Sequence, residues 1–337
     1  MGDTPTHAWQ LLHPPLACHD SGWLEVGEGH AIYWECSGHP SAPAALFLHG
    51  GPGAASRPED RRWFDPQRWR IVLFDQRGCG RARAADPLHA NTTPHLVADI
   101  EALRLHLGTP SWLLFGGSWG ATLALAYAQQ HPQRVRGLVL RGVFTATRAE
   151  AAWLYGPHGA ARHHPAAWQR LLQSALSRSG DDLLDAMQAR LEGTAEEAQV
   201  AAQAWWRWEQ DLMAAESTLV APLPPCADSQ ALAYARIGVH YARHHWFIEE
   251  GQLLAGAARL RGLPGSVVQG LRDLVTPPPA ARALQQAWPD AQWHEVRAAG
   301  HAASHPFITR QLIAATDAMA AATETHHALP ARHAGSG

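Results

Sequence analysis

The stretch Gly116-Gly117-Ser118-Trp119-Gly120 constrains this chain more than any other: an apolar run, Trp112 to Phe115, leads into it, and an Ala- and Leu-rich helical segment leaves it at Ala121. A strand that turns straight into a helix around G-x-S-x-G needs small residues two places either side of the serine. The turn then lifts the serine hydroxyl clear of the backbone. Ser118 is therefore the candidate nucleophile. Upstream, Ala45 to Leu48 reads as a second buried strand and runs into His49-Gly50-Gly51-Pro52-Gly53, whose glycines free the backbone to point amides into a cavity. The Gly51 amide, with Gly50 in reserve, is one candidate oxyanion donor. The Trp119 amide, at the positive end of the following helix, is the other.

A carboxylate and a histidine follow in the chain order that such a serine requires. Val267 to Gln269 is a short β-type run, and Asp273 stands just beyond it, before Thr276-Pro277-Pro278 opens a helix. Trp293 to Val296 is another, and leads into Ala298-Ala299-Gly300-His301. His301 then serves as general base and Asp273 as the carboxylate that orients it. Rival groups have plainer readings. His305 precedes Pro306 at the start of the next helix, and Asp228, Asp290 and Glu295 read as solvated or helix-capping. His240, His244 and His245 have helical spacing, but no cysteine or carboxylate at zinc-like spacing accompanies them, so no metal is expected. His326, His327 and His333 belong to a polar tail.

Strand and helix alternate along the first part of the chain. Trp23 to Val26 and Ala31 to Cys36 read as an antiparallel pair joined by Gly27-Glu28-Gly29; further strands are Ile71 to Phe74 and Leu138 to Arg141. A helix begins near Thr92-Thr93-Pro94, with Leu96, Ile100, Leu103 and Leu107 as its buried stripe. This pattern predicts a mostly parallel sheet, with the candidate residues at the carboxyl ends of its strands. Between Thr147 and Gly251 only helices are legible: Ala166 to Ser177, Leu183 to Leu191, Ala195 to Ala215 and Ala231 to Phe247. The expected fold is α/β with an inserted all-helical cap above Ser118. Residues 1–146 and 252–322 would form the catalytic domain, 147–251 the cap and 323–337 a disordered tail. Trp205, Trp206 and Trp208 suit either cap packing or the lining of an apolar pocket.

At 337 residues, 46% hydrophobic and 17% charged, the chain can bury one large core and a smaller satellite. A net charge of -3 gives no electrostatic reason to expect nucleic acid or an anionic membrane as partner. No apolar run approaches the roughly 20 residues that span a bilayer, and the N-terminus lacks the layout of a signal peptide. Cys18, Cys36, Cys79 and Cys226 lack CxxC spacing and read as reduced thiols. These features point to a cytoplasmic enzyme acting on a peptide or small molecule without a cofactor.

Ser21-Gly-Trp-Leu-Glu25, His49-Gly-Gly-Pro-Gly53, Asp75-Gln-Arg-Gly-Cys-Gly80, Leu96-Val-Ala-Asp-Ile-Glu101, Gly116-Gly-Ser-Trp-Gly120 with Leu123-Ala-Leu-Ala-Tyr-Ala128, and Leu138-Val-Leu-Arg-Gly142 together resemble the proline iminopeptidase family of α/β-hydrolases. The resemblance is dense over the catalytic domain and looser through the cap. It implies a metal-independent serine exopeptidase that removes an N-terminal proline, with Ser118, Asp273 and His301 as triad. It also implies cap glutamates that hold the substrate's free amino terminus, one in a Trp-Glu pair and one in an Arg-Ile-Glu segment. Trp208-Glu209 matches the first, so Glu209, with Trp208 and Phe144, is a candidate substrate-binding residue. The second segment reads Arg236-Ile237-Gly238 and lacks the carboxylate. Asp273 follows Leu271-Arg272 where the family has Arg-Tyr. The loss at Gly238 favours an alternative, an esterase or amidase of the same fold whose substrate has no free amine, with Glu249 or Glu250 as possible substitutes for the missing carboxylate. A ligand-binding protein on this scaffold is a third reading, to which an intact Ser118, Asp273 and His301 gives little support.

Overall fold

The computed structural model describes residues 8–177, 180, 182–216, 219 and 226–328. The strands are β1 (Cys18–Glu25), β2 (His30–Gly38), β3 (Ala44–Leu48), β4 (Arg70–Asp75), β5 (Arg83–Ala84), β6 (Trp112–Gly117), β7 (Val135–Arg141), β8 (Gly265–Gly270) and β9 (Gln292–Val296). They form one sheet in the order β1-β2-β4-β3-β6-β7-β8-β9, with β5 attached to β2. β2 pairs antiparallel with β1, β4 and β5, and every other pairing is parallel. Burial explains the sequence patterns. β3, β6 and β8 are buried along their whole length and read as continuous apolar or small-residue runs, whereas edge strand β1 is half-buried to exposed throughout.

Alternation along the parallel strands divides the core into two layers. Leu46, Leu48, Val72 and Leu114 face a cluster that includes the helices Thr93–His106, Trp119–Gln130 and Pro278–Ala287. Ala45, Phe47, Leu73, Leu113 and Phe115 face the other way, onto Trp63, Phe64 and the helix Pro306–Ala328. In the helix Thr93–His106, Leu96, Ile100 and Leu103 form the buried stripe. The Thr92 hydroxyl does not cap it but meets His95 Nδ1 at 2.7 Å.

Among the described residues between β7 and β8 the regular elements are all helical, chiefly Arg148–Tyr155, Pro165–Ala175, Leu183–Leu191, Ala195–Glu216 and Asp228–Arg243. They share an apolar core of their own around Trp168, Leu171, Met187, Trp205, Trp208 and Leu212. This cap lies against the loops at the carboxyl ends of the strands. A Cβ added to Gly53 would meet the Tyr234 carbonyl oxygen at 2.8 Å, and Trp153 Nε1 donates to the Leu274 carbonyl at 2.8 Å.

Two boundaries differ from expectation. The last cap helix ends at Arg243 and not at Phe247, because His245, Trp246 and Phe247 all take left-handed φ values of 49°, 52° and 52°. The buried Trp246 ring, 4.7 Å from Phe144, anchors this turn in the core as the chain returns to the sheet. At the C-terminus the final helix continues past Ala322 to Ala328, so His326 and His327 are helical and not part of a disordered tail. The rest of that expected tail, residues 329–337, lies outside the described residues. Among the described residues no helix is long and apolar enough to cross a membrane.

Candidate active site

Ser118 has φ 58° and ψ −126°, a conformation L-residues rarely adopt. The neighbouring glycines make it tenable by close approach. A Cβ on Gly116 would lie 2.2 Å from the Gly120 carbonyl oxygen, and one on Gly120 would lie 2.1 Å from the Leu48 carbonyl oxygen. β6 can thus turn into the helix Trp119–Gln130 while packed on β3. The Ser118 N–H donates to the Arg141 carbonyl at 2.9 Å and the Ser118 carbonyl accepts from Ala121 N–H at 2.9 Å, so β7 and the helix both hold the strained residue.

Asp273 and His301 meet across the ends of β8 and β9. His301 Nδ1 lies 2.8 Å from Asp273 Oδ2. Asp273 Oδ1 accepts the Val275 and Thr276 N–H groups at 2.9 and 2.7 Å, and Oδ2 also accepts the Thr276 hydroxyl at 2.9 Å and Gln269 Nε2 at 3.3 Å. Backbone donors therefore fix the carboxylate, and the carboxylate fixes the ring. Burial pushes His301 below the ordinary imidazole pKa, with Arg141 acting in the same direction, against the raising effect of Asp273. The imidazole packs over Gly142: a Cβ there would stand 3.0 Å from both Cε1 and Nδ1. Ser118 and the His301 ring thus flank the consecutive residues Arg141 and Gly142, the first bonded to Ser118 N–H and the second beneath the ring.

A buried hydrogen-bond network connects the glycine loop to the elbow. Gln76 Nε2 donates to the His49 carbonyl at 3.0 Å, Gln76 N–H meets His49 Nε2 at 3.0 Å, and Gln76 Oε1 accepts Trp119 Nε1 at 2.9 Å. Gly51 takes φ 116°, and a Cβ on Gly50 would stand 3.7 Å from Ser118 Cβ. The two loops that carry Gly50, Gly51 and Trp119 are therefore brought together, with the first N–H groups of the Trp119–Gln130 helix free of intrahelical partners. The neighbouring motif residues are architectural. Asp75 accepts Ser56 and Arg81, and Arg77 makes a bidentate pair with Asp99 at 2.7 and 2.8 Å.

In the cap, Glu209 accepts hydrogen bonds from the Tyr234 and Tyr155 hydroxyls. Burial raises its pKa to about 7 despite both bonds, which lower it. Tyr234 also backs onto Gly53 of the first loop, which leaves one residue between this carboxylate and that loop. Trp208 belongs to the cap's core: its Nε1 donates to the Leu154 carbonyl at 3.1 Å and its ring packs 5.4 Å from Trp168. Trp205 is likewise buried, stacked on Tyr155 at 4.7 Å, and Trp206 meets Tyr234 edge-on. Phe144 is buried against Trp246, and its carbonyl accepts the Thr122 hydroxyl. Glu249 and Glu250 are exposed, and Glu250 accepts the Arg148 N–H at 2.9 Å, so neither replaces the carboxylate missing at Gly238. His240 Nε2 pairs with the Asn91 carbonyl and His244 Nδ1 with the His240 carbonyl. No three His, Cys, Asp or Glu side chains converge to hold a metal among the described residues.

Sequence reading missed Thr276, Gln76, Tyr155 and Tyr234. Thr276 had a local signal, since an Asp followed three residues later by a Thr suits a side-chain turn. Tyr155 and Tyr234 had none: they lie on separate helices and reach Glu209 only in the folded cap.

A sequence profile described as the alpha/beta hydrolase fold matches residues 43–306. The proline iminopeptidase of Arabidopsis thaliana is 42% identical over 93% of this chain and 83% of its own length. That of Neisseria gonorrhoeae is 42% identical over 88% and 95%, and that of Xylella fastidiosa strain Temecula1 is 43% identical over 91% and 99%. Among solved structures, a proline iminopeptidase-related protein from Thermus thermophilus superposes with a TM-score of 0.52 at 23% identity, covering 89% of this chain and 99% of its own. An esterase from Rhodococcus sp. ECU1013 superposes with a TM-score of 0.57 at 18% identity, covering 89% and 98%. Likenesses at that identity speak for the fold alone.

Proposed function

Because the chain belongs to the proline iminopeptidase family of alpha/beta hydrolases, we propose that it is a serine hydrolase releasing an N-terminal proline, or another small apolar residue, from peptides. Ser118 is the nucleophile, His301 the general base and Asp273 the orienting carboxylate. The observation that carries this reading is the Asp273–His301 pair, held at 2.8 Å, with its ring over Gly142 and the strained Ser118 bonded to the adjacent Arg141.

The geometry supports a two-stage acyl transfer. Ser118 Oγ attacks the carbonyl carbon of the N-terminal residue while His301 Nε2 takes its proton, and Asp273 keeps the other nitrogen protonated and stabilises the imidazolium. The oxyanion is received by the Gly51 and Trp119 amides, with Gly50 in reserve. His301 returns the proton to the leaving peptide amine as the C–N bond breaks, leaving an ester on Ser118. Water, deprotonated by the same base, attacks that ester, the C–O bond to Ser118 breaks, and Ser118 recovers its proton. Glu209 meets the substrate's ammonium, and Tyr155 and Tyr234 orient it. The substrate is a peptide. The active site lies within residues 1–146 and 252–322, and the cap of residues 147–251 supplies Glu209.

One observation favours a second reading, an esterase or amidase whose substrate carries no free amine: Gly238 offers no second carboxylate, and Trp205 Nε1 lies only 2.9 Å from where its Cβ would be. Assaying a proline arylamide beside a short acyl ester separates the two. Turnover of the arylamide at a kcat/KM at least comparable with the ester supports the aminopeptidase, and turnover of the ester alone overturns it.

A further inference from the structure

The His301–Asp273 contact has a third member. Thr276 Oγ1 lies 2.9 Å from Asp273 Oδ2 and 3.1 Å from His301 Nδ1, and Nδ1 and Oδ2 are themselves 2.8 Å apart, so the three atoms form a closed triangle. Thr276 is 2% exposed and Asp273 2% exposed, which keeps water from standing in for the hydroxyl. The fold makes room for it: Gly142, at φ 54°, has no Cβ where one would stand 3.2 Å from the Thr276 hydroxyl and 3.0 Å from the ring.

We propose that Thr276 is a positioning residue for the base: its hydroxyl fixes the rotation of the His301 imidazole and keeps its Nδ1 protonated, so that Nε2 is the unprotonated nitrogen that receives the Ser118 proton. A hydroxyl has a single hydrogen. Donated to Asp273 Oδ2, it leaves only an oxygen lone pair facing Nδ1, so both oxygens beside Nδ1 are acceptors, and its one N–H, directed mainly at Oδ2, is shared between them. The opposite arrangement, with the hydroxyl donating to Nδ1, would put the imidazole proton on Nε2 and disable the base. The carboxylate selects the first arrangement because Oδ1 is already occupied by two backbone N–H groups, which leaves Oδ2 to take the hydroxyl and the ring N–H beside the longer contact from Gln269 Nε2. The same hydroxyl draws part of the Oδ2 charge away from the ring. This moderates the pull of Asp273 on the imidazolium, in the same direction as the charged Arg141 beside the ring.

The inference rests on Ser118 and His301 acting as proposed above, so its test needs no assumption about substrate. The readout is the pH dependence of the second-order rate at which a fluorophosphonate labels Ser118, located by mass shift. Thr276→Val keeps the shape and removes the hydroxyl. The acid limb should move up by about half to one pH unit, because Asp273 then acts on the ring undiluted, and the plateau should fall several-fold as the ring loses its second tether. Thr276→Ser, which restores the hydroxyl, should return both to within about twofold of the parent. A Thr276→Val limb that stays in place, or a Thr276→Ser limb that moves with it, overturns the role of the hydroxyl. Failure of the parent itself to be labelled on Ser118 overturns the nucleophile reading, and this inference with it. Should Thr276→Val not fold, Thr276→Ser and Thr276→Ala compared at equal thermal stability give the same contrast.

Discussion

Asp273, at the end of the sheet, and Glu209, in the cap, are two carboxylates held in opposite ways. Asp273 binds two backbone N–H groups from residues two and three places along the chain, so the strand-to-helix turn that creates its position also supplies its partners. Glu209 is held by tyrosine hydroxyls from two other helices, and burial drives its pKa up to about 7. The two sites are therefore rigid for different reasons. A carboxylate bound by the backbone keeps its place as long as the fold persists. One bound by side chains depends on the packing of three helices, and its charge changes near neutral pH. The first suits chemistry shared by many substrates, and the second suits selection among them.

The largest effects should therefore fall on the sheet side. Ser118→Ala and His301→Ala should each lower turnover by several orders of magnitude on every substrate, with the double variant little worse than either single one, because the two groups act as a unit. Ser118→Ala activity within about tenfold of the parent would remove the nucleophile assignment and with it the role of Asp273.

On the cap side the effect should be selective. Glu209→Gln keeps an acceptor for both tyrosines but cannot carry charge. It should reduce kcat/KM for a proline arylamide by about 10- to 100-fold while a neutral ester changes little. An unchanged ratio would mean that this carboxylate reads no amino terminus, and the esterase reading would replace the aminopeptidase. Restoring a second carboxylate by Gly238→Glu should not help. Glycine is a poor helix former, but a Cβ at this buried position would stand 2.9 Å from Trp205 Nε1 and 3.4 Å from its Cε2, within the cap core. Overpacking of this kind costs about 1–3 kcal/mol. A lower melting temperature with no gain in the ratio is the expected result, and a gain would show that Trp205 can move aside.

The two sides were also unequally legible in the sequence. Ser118, Asp273 and His301 each follow an apolar run at a turn marked by Gly or Pro, so strand, turn and candidate side chain are adjacent in the chain, and most of the sheet could be placed by the same signals. The cap's helices were legible, but not which side chains they share. Trp208 suited either cap packing or the wall of a pocket beside Glu209. Yet neighbours on a helix point about 100° apart, and Trp208 turns into the core toward Trp168 and Leu154. The stop at Arg243 was equally hidden, since the left-handed turn at Trp246 comes from burying that ring against Phe144 and not from any local glycine. Such features depend on residues dozens to hundreds of positions apart, which periodicity within a single segment does not report.

The smallest expected effects lie in the pH profiles. With a neutral ester, kcat/KM should rise through a single group titrating below the ordinary imidazole value of about 6.5, because burial and Arg141 depress His301, which must be neutral to accept a proton. With a proline arylamide a second rise should appear near 7, as Glu209 ionises and gains a charge to set against the substrate's ammonium. That rise should be absent in Glu209→Gln. Stability should move the opposite way. A buried carboxyl whose pKa is raised holds a proton in the folded state that the unfolded chain has already released, so stability falls as pH climbs from the unfolded value toward about 7. The parent should therefore lose melting temperature relative to Glu209→Gln between about pH 5 and pH 8, even as its arylamide activity increases. If the two melting curves keep a constant separation over that range, Glu209 does not titrate there. Any second limb in the arylamide profile would then have to come from another group.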